Sequence, residues 1–196
     1  MLINWALKEI SLKIVYYGPG LSGKTTNLEY IYQLIDPSHK GKMVSLKTKE
    51  ERTIFFDFMQ FELPPIQGKK PKFSLYTVPG QHYYAASRKI ILNGADGVVF
   101  VVDSQSNRLM DNLDSILDLE QNLIQQNRSL EEIPWVLQYN KRDLGDVLAI
   151  EILKKKLNYH NVPSFSAVAV QGIEVSETLK SIIQKVILDI ERKLNA

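Results

Sequence analysis

Of 196 residues, 44% are hydrophobic and 23% charged, a balance that suits a folded globular chain and excludes a disordered or fibrous one. The 24 Lys and Arg nearly cancel the 22 Asp and Glu, leaving +2, which argues against a nucleic-acid binder, and with 0 Cys there is no disulfide, thiolate-metal or thiol-nucleophile chemistry. No apolar run is long enough to span a bilayer, Lys8 and Glu9 interrupt the stretch a signal peptide needs, and neither Leu2 nor the Leu194-Asn195-Ala196 ending suits lipidation, so the expectation is one cytoplasmic domain over 1–196 without a direct membrane anchor.

Short apolar runs alternate with longer segments of helical periodicity, the pattern of an α/β sheet with helices wound on both faces. At the start, Ile3, Trp5 and Leu7 alternate in one phase and Ile10, Leu12 and Ile14 in the other. The slip at Lys8-Glu9 requires a bulge or a turn and admits an extra amino-terminal strand. Leu12 to Tyr17 reads as a central strand ending at Gly18. A helix follows from Lys24 to Leu34, stopped by Asp36-Pro37 because a residue before proline is pushed out of the helical region. Thr53 to Phe61 and Lys72 to Val78 are the next strands, joined as a hairpin across the turn signals Pro64-Pro65 and Gly68. Gly97 to Asp103 is apolar on both faces and belongs inside a parallel sheet. Leu109, Leu113, Ile116, Leu117, Leu123 and Ile124 form the apolar stripe of the helix after it. Trp135 to Tyr139 and Ser164 to Ala169 are further strands, and Lys154-Lys155-Lys156 reads as a solvated helix end. The last helix carries Val175, Leu179, Ile182, Ile183, Val186, Ile190 and Leu194 on one face, which suits either the core or a coiled-coil seam.

Gly18-Pro19-Gly20-Leu21-Ser22-Gly23-Lys24-Thr25 matches G-x-x-x-x-G-K-[ST] between a predicted strand and a predicted helix. Its glycines let successive N–H groups turn inward toward phosphate oxygens, and the following helix adds its positive amino end. Lys24 answers the β and γ phosphates, and Thr25 offers a hydroxyl to Mg²⁺, an ion that uses few protein oxygens beside phosphates and waters. Asn140-Lys141-Arg142-Asp143 follows a strand, at the sheet edge where α/β proteins bind ligands. A carboxylate at Asp143 accepts from the N1–H and 2-amino donors of guanine, a donor pair that adenine lacks. Asn140 would tie the base loop to the phosphate loop, and the stem of Lys141 would cover the purine. Taken alone, this four-residue run is also compatible with an ordinary polar turn.

These two motifs and the strand order resemble the Ras-like small GTPases, and the detail is similar to one bacterial branch. Val15 to Asn27, Glu51-Arg52-Thr53-Ile54-Phe55-Phe56-Asp57-Phe58 and Tyr76-Thr77-Val78-Pro79-Gly80-Gln81 resemble the MglA family, the bacterial polarity GTPases of gliding and pilus-driven motility. The resemblance spans essentially the whole chain. It implies an α/β P-loop NTPase with a Ras-like doubly wound sheet, mostly parallel with one antiparallel hairpin, and adds Thr26 to the nucleotide-binding residues. Ser166-Ala167-Val168 lines up with the S-A-K guanine loop, with Val168 where many Ras-like proteins have lysine, so contact there falls to backbone N–H groups. Thr77-Val78-Pro79-Gly80 stands where Ras-like proteins normally have Asp-x-x-Gly, a departure the MglA family shares. Since that aspartate usually holds Mg²⁺ through water, either the ion binds more weakly or another carboxylate substitutes. Asp103 is one candidate; the other reading makes it a polar strand end.

The resemblance implies a switch that binds GTP and GDP with Mg²⁺ and hydrolyses GTP. Gln81 would orient the attacking water, Gly80 would donate its N–H to the γ-phosphate, and Thr53 would reach the ion and the γ-phosphate. Spacing alone does not choose between Thr48 and Thr53; the Arg-Thr-x-Phe-Phe match favours Thr53. In that family the position of Arg52 is read as an arginine finger supplied in cis, a device worth about 10³–10⁵ in rate, and the alternative is a solvated loop arginine. His82 is read as a surface histidine in preference to a general base. Long polar loops hinged at Pro37, Gly41, Pro79 and Gly80 suggest an open resting state and slow intrinsic hydrolysis. The family further implies stimulation by an MglB-type dimer of roadblock folds and recruitment to a cell pole or motility machine through effectors. Two other readings stay open: a non-hydrolysing GTP-binding scaffold, and a P-loop kinase or ATPase, which would need a lid and a phosphoacceptor site that the sequence does not display.

Overall fold

A computed structural model of the chain describes residues 2–4, 6–47, 53–65, 68–81 and 84–194. In chain order the elements are β1 (Leu2–Asn4), β2 (Glu9–Tyr17), α1 (Lys24–Leu34), β3 (Val44–Lys47), β4 (Thr53–Glu62), β5 (Lys70–Thr77) and α2 (Ala85–Leu92). They continue as β6 (Gly97–Asp103), α3 (Leu109–Ile124), β7 (Trp135–Asn140), α4 (Ile150–Leu157), β8 (Ser164–Ser166) and α5 (Val175–Leu194).

The strands lie in the order β3-β4-β5-β2-β6-β7-β8, with β1 paired to the start of β2. β5, β2, β6, β7 and β8 run parallel, because helices carry the chain back between them. The short connection between β4 and β5 allows only a hairpin, so β4 runs antiparallel to β5 and also to β3. At Lys8, whose φ is 53°, the chain turns so that β1 runs antiparallel to β2. The slip at Lys8-Glu9 is therefore a turn, and Trp5 lies outside the described residues.

The pleat of β2 divides the core in two. Val15 and Tyr17 face one layer with Ile91 and Leu92 of α2, Ile116, Leu119 and Leu123 of α3, and Leu153 and Leu157 of α4. Ile14 and Tyr16 face the other with Leu28 and Ile31 of α1 and Ile182, Val186 and Ile190 of α5. That packing resolves the choice left at α5: its apolar face lies on the sheet. The stripe of α3 differs from the expected one. Ile116, Leu119 and Leu123 are buried with Asn112 and Asn122, whereas Leu117 and Ile124 stand 52% and 66% exposed. At 3.6 residues per turn Leu119 completes the inner stripe, and Leu117 and Ile124 share an outer one with Met110. β8 stops at Ser166, and residues 169–171 form a 3₁₀ turn where the strand was expected to continue. Strand order reverses at β2, whose neighbours are β5 and β6, so its carboxyl end opens at the switch point of the sheet.

Candidate functional site

The loop after β2 turns at Gly18 and enters α1 through Gly23, whose φ of 99° suits glycine and whose absent Cβ would meet Asn140 Nδ2 at 2.2 Å. Asn140 takes that space. Its amide donates to the Ser22 carbonyl at 2.8 Å, and its Oδ1 accepts from the Ala169 N–H at 2.9 Å, stapling the phosphate loop to the segment after Ser166, Ala167 and Val168. A second staple lies deeper. Asn27 and Gln138 exchange side-chain amide bonds at 2.8 and 2.9 Å, Gln138 Nε2 reaches Thr178 Oγ1 at 3.1 Å, and Asn27 Nδ2 donates to the Gly23 carbonyl at 2.9 Å. All three side chains are buried and satisfied, so the network fixes α1 against β7 and α5. Thr26 is half-buried in the first turn of α1, and Leu21, with φ 64°, is exposed at the loop tip.

Lys24 is buried and donates to the Gly18 and Pro19 carbonyls at 2.9 and 2.7 Å. Burial pulls its ammonium from the ordinary 10.5 down to about 7, with nearby Asp57 opposing the shift. A phosphate beside it would restore the charge. Above about pH 7, nucleotide binding is then coupled to proton uptake, and affinity falls with rising pH by at most about tenfold per unit. Titration calorimetry in two buffers of different ionisation enthalpy at pH 8.5 should show uptake of about one proton; none would contradict this placement of Lys24.

β4 contributes a residue that neither motif contains. Asp57 is fully buried, on the same strand face as Met59 and Phe61, and the Phe58 to Tyr76 register sets it opposite Thr77. Its Oδ2 accepts from Thr25 Oγ1 at 2.5 Å and Thr77 Oγ1 at 2.7 Å, its Oδ1 accepts from the Ser45 hydroxyl, and its N–H donates to Thr77 Oγ1 at 2.9 Å. Beside Thr77, where the motif lacks its aspartate, a buried carboxylate is thus present from the neighbouring strand. Asp103 is engaged elsewhere: Lys141 Nζ lies 2.7 Å and Arg108 Nε 3.6 Å from its Oδ2. Of its two readings the polar strand end fits these ion pairs, and Asp57 is the carboxylate that touches Thr25. Among the described residues no group of three or more His, Cys, Asp or Glu forms a metal cage. A threonine hydroxyl beside one buried carboxylate fits Mg²⁺, which takes most of its oxygens from phosphates and water.

Gly80 lies against the phosphate loop. A Cβ on it would meet the Gly20 N at 2.2 Å and the Pro19 carbonyl carbon at 2.4 Å, so only glycine lets these two backbones meet. Gln81 follows, with its carbonyl held by Arg88 Nη1 at 2.6 Å. From the other side Arg108 donates to the Gly20 carbonyl at 2.8 Å. Lys141, with φ 64°, opens the turn at the end of β7, and Asp143 is exposed on it. The Arg142 N–H donates to the Ala167 carbonyl at 3.1 Å, and the Ala167 N–H to the Tyr139 carbonyl at 2.8 Å, which draws the Asp143 turn and residues 166–168 together.

Arg52, Thr48, Glu51 and His82 lie outside the described residues, and Thr53 opens β4 with its side chain likewise outside them. The remaining candidates gather at the carboxyl edge of the parallel strands. Asp57, Arg88 and Arg108 escaped the sequence reading. For Asp57 a signal existed: it is a lone acid in the core phase of an apolar strand.

A sequence model of the ADP-ribosylation factor family matches residues 1–187. The chain is 50% identical over 190 residues to the "Mutual gliding-motility protein MglA" of Myxococcus xanthus, covering 97% of each chain. It is 25% identical over 190 residues to the "Ypt/Rab-type GTPase Rab7" of Neurospora crassa, covering 94% of this chain and 86% of that one. No helix among the described residues is long and apolar enough to cross a membrane.

Proposed function

The chain belongs to the Ras-like small GTPases, through the ADP-ribosylation factor family and the MglA family, and from that premise we propose a switch that cleaves GTP with its own residues and controls polarity or motility machinery. Small GTPases bind GTP and GDP and hydrolyse GTP. The observation that carries the reading is the meeting, at one sheet edge, of Lys24, the Thr25–Asp57–Thr77 cluster and the Gly80 backbone against Gly20.

In this reading the N–H groups of residues 18–25 and Lys24 hold the β and γ phosphates, Asp143 and residues 166–168 take guanine, and Asn140 keeps the two loops in register. Thr25 and Thr53 would hold Mg²⁺, and Asp57 is bonded to the Thr25 hydroxyl. Bound there, the ion supplies positive charge to the phosphate oxygens. Gln81 orients the water. The water oxygen bonds to the γ-phosphorus as the bond to the β–γ bridging oxygen breaks, and the water's proton passes to an oxygen of the departing phosphate, releasing phosphate and GDP, while the Gly80 N–H and Arg52 answer the charge of the transferring group. An MglB-type dimer closes the Arg52 loop, so intrinsic turnover is slow and partner-stimulated turnover fast. GTP-dependent effectors then recruit the protein to a cell pole or motility machine.

Asp57→Asn tests the reading where it departs most from other Ras-like proteins. It keeps the shape and removes the charge, so the Mg²⁺ concentration needed for half-maximal single-turnover GTP cleavage should rise about 10–100-fold. An unchanged Mg²⁺ requirement would separate Asp57 from the ion.

A further inference from the structure

Arg88 belongs to no nucleotide motif. It lies on the inner side of α2, 7% exposed, and its guanidinium divides its described hydrogen bonds among three residues. Nε donates to Asp118 Oδ2 at 2.7 Å and Nη2 to Asp118 Oδ1 at 3.3 Å, a two-point ion pair with α3. Nη1 donates to the Gln81 carbonyl at 2.6 Å and reaches the Pro79 carbonyl at 3.4 Å. Asp118 also accepts from the hydroxyl of Tyr17, the last residue of β2, and Asn122 Nδ2 donates to that hydroxyl at 3.1 Å. One guanidinium therefore ties the segment bearing Gly80 and Gln81 to α3 and, through Asp118, to the strand that leads into the phosphate loop.

We propose that Arg88 is a positioning residue for GTP hydrolysis, holding the Pro79 and Gln81 carbonyls so that the Gln81 side chain meets the attacking water. This rests on the reading of Gln81 as the water-orienting residue. The anchor suits that task chemically. Charge-assisted bonds to a carbonyl are stiffer than neutral ones, and a planar fork serves a carboxylate along one edge while its remaining nitrogen reaches a carbonyl. Asp118 fixes the fork from the α3 side, so the position of Arg88 does not depend on the Gln81 segment alone. None of the described hydrogen bonds of Arg88 goes to residues 18–25, so its loss should leave nucleotide affinity in place. A cavity of about 570 Å³ between the phosphate loop, the Gln81 segment and α3 has Arg88 and Asp118 in its wall, which gives a small cation access to the anchor.

The experiment is single-turnover GTP cleavage and GDP affinity in Arg88→Ala, with Asp118→Asn as a variant that keeps side-chain shape. Misplacing a reacting group by about 1 Å costs about 10²-fold, and a loss of that order in cleavage is expected in Arg88→Ala with GDP affinity unchanged. Asp118→Asn should fall in the same direction. Millimolar guanidinium should restore part of the Arg88→Ala rate and methylammonium should not, because only the planar ion can serve Asp118 and a carbonyl together. The Arg88→Ala/Gln81→Leu double variant should be no slower than Gln81→Leu. Arg88→Ala cleaving at the unaltered rate beside a slow Gln81→Leu would overturn the proposal alone. Equal loss of cleavage and GDP affinity, without rescue by guanidinium, would also overturn it by making Arg88 a purely structural residue. Gln81→Leu cleaving at the unaltered rate would instead overturn the reading of Gln81, and the proposal with it.

Discussion

Arg52→Ala should bind GTP and GDP as the unaltered chain does and lose partner-stimulated turnover by about 10³–10⁵. The expectation follows from the direction of β4. Because β4 is antiparallel to β5, and Asp57 stands opposite Thr77, the amino end of β4 lies at the same sheet edge as the carboxyl ends of the parallel strands. The first residue of β4, Thr53, lies at that edge, and Arg52 directly precedes it in the sequence. From Asp57, beside Thr25, back to residue 52 the extended chain reaches at most about 17 Å, a span from which a long arginine side chain can return to the γ-phosphate when its loop closes. Under the proposed mechanism the partner would act by closing a loop and would need no arginine of its own. Single-turnover cleavage with and without an MglB-type dimer measures this. Gln81→Leu should lose the same stimulation, and the double variant should be little worse than either, because residues acting as one unit are not additive. If Arg52→Ala is stimulated as well as the unaltered chain, the arginine must come from the partner.

Asp143→Asn should weaken GTP binding by about 10⁴-fold, since a site built to pair hydrogen-bonding groups rejects a mismatch that strongly. The exposed carboxylate at the β7 turn would accept both guanine donors, whereas an amide accepts one and opposes the other with its own N–H. Xanthine nucleotide, which presents an oxygen in place of the 2-amino group, should gain relative to GTP. Competition of GTP, XTP and ATP against a fluorescent guanine nucleotide reads both changes. Unchanged GTP affinity would remove Asp143 from the base.

What the sequence made legible was local. The span of α1 from Lys24 to Leu34 follows from a glycine at one end and Asp36-Pro37 at the other, and β6 from seven residues that are apolar on both faces. Asn140 was placed correctly against the phosphate loop because its motif carries its own geometry. Asp57 was not, although its strand was, because its role arises from the register between β4 and β5, and a hydrophobic pattern does not specify which residues face each other across a hairpin. For Asp103 the sequence leaves two readings open, and the polar strand end is the one its ion pairs fit. It stands at the expected strand end, and Lys141, 38 residues away, occupies it. Arg88 and Asp118, 30 residues apart on two helices, meet only once both helices lie on the same face of the sheet. Leu117 and Ile124 were assigned to the core because apolar character alone does not say which of two stripes on α3 faces inward.

The most direct test of the switch is a single-turnover assay with stoichiometric protein, Mg²⁺ and either γ-labelled GTP or γ-labelled ATP, with and without an MglB-type dimer. GTP should be bound and cleaved to GDP and phosphate, slowly alone and rapidly with the dimer, while ATP should be neither retained nor cleaved. GTP that stays bound and intact in the presence of the dimer would make the chain a scaffold, and ATP that binds and is cleaved as well as GTP would make it a P-loop ATPase or kinase; in either case it is not a GTP-hydrolysing switch.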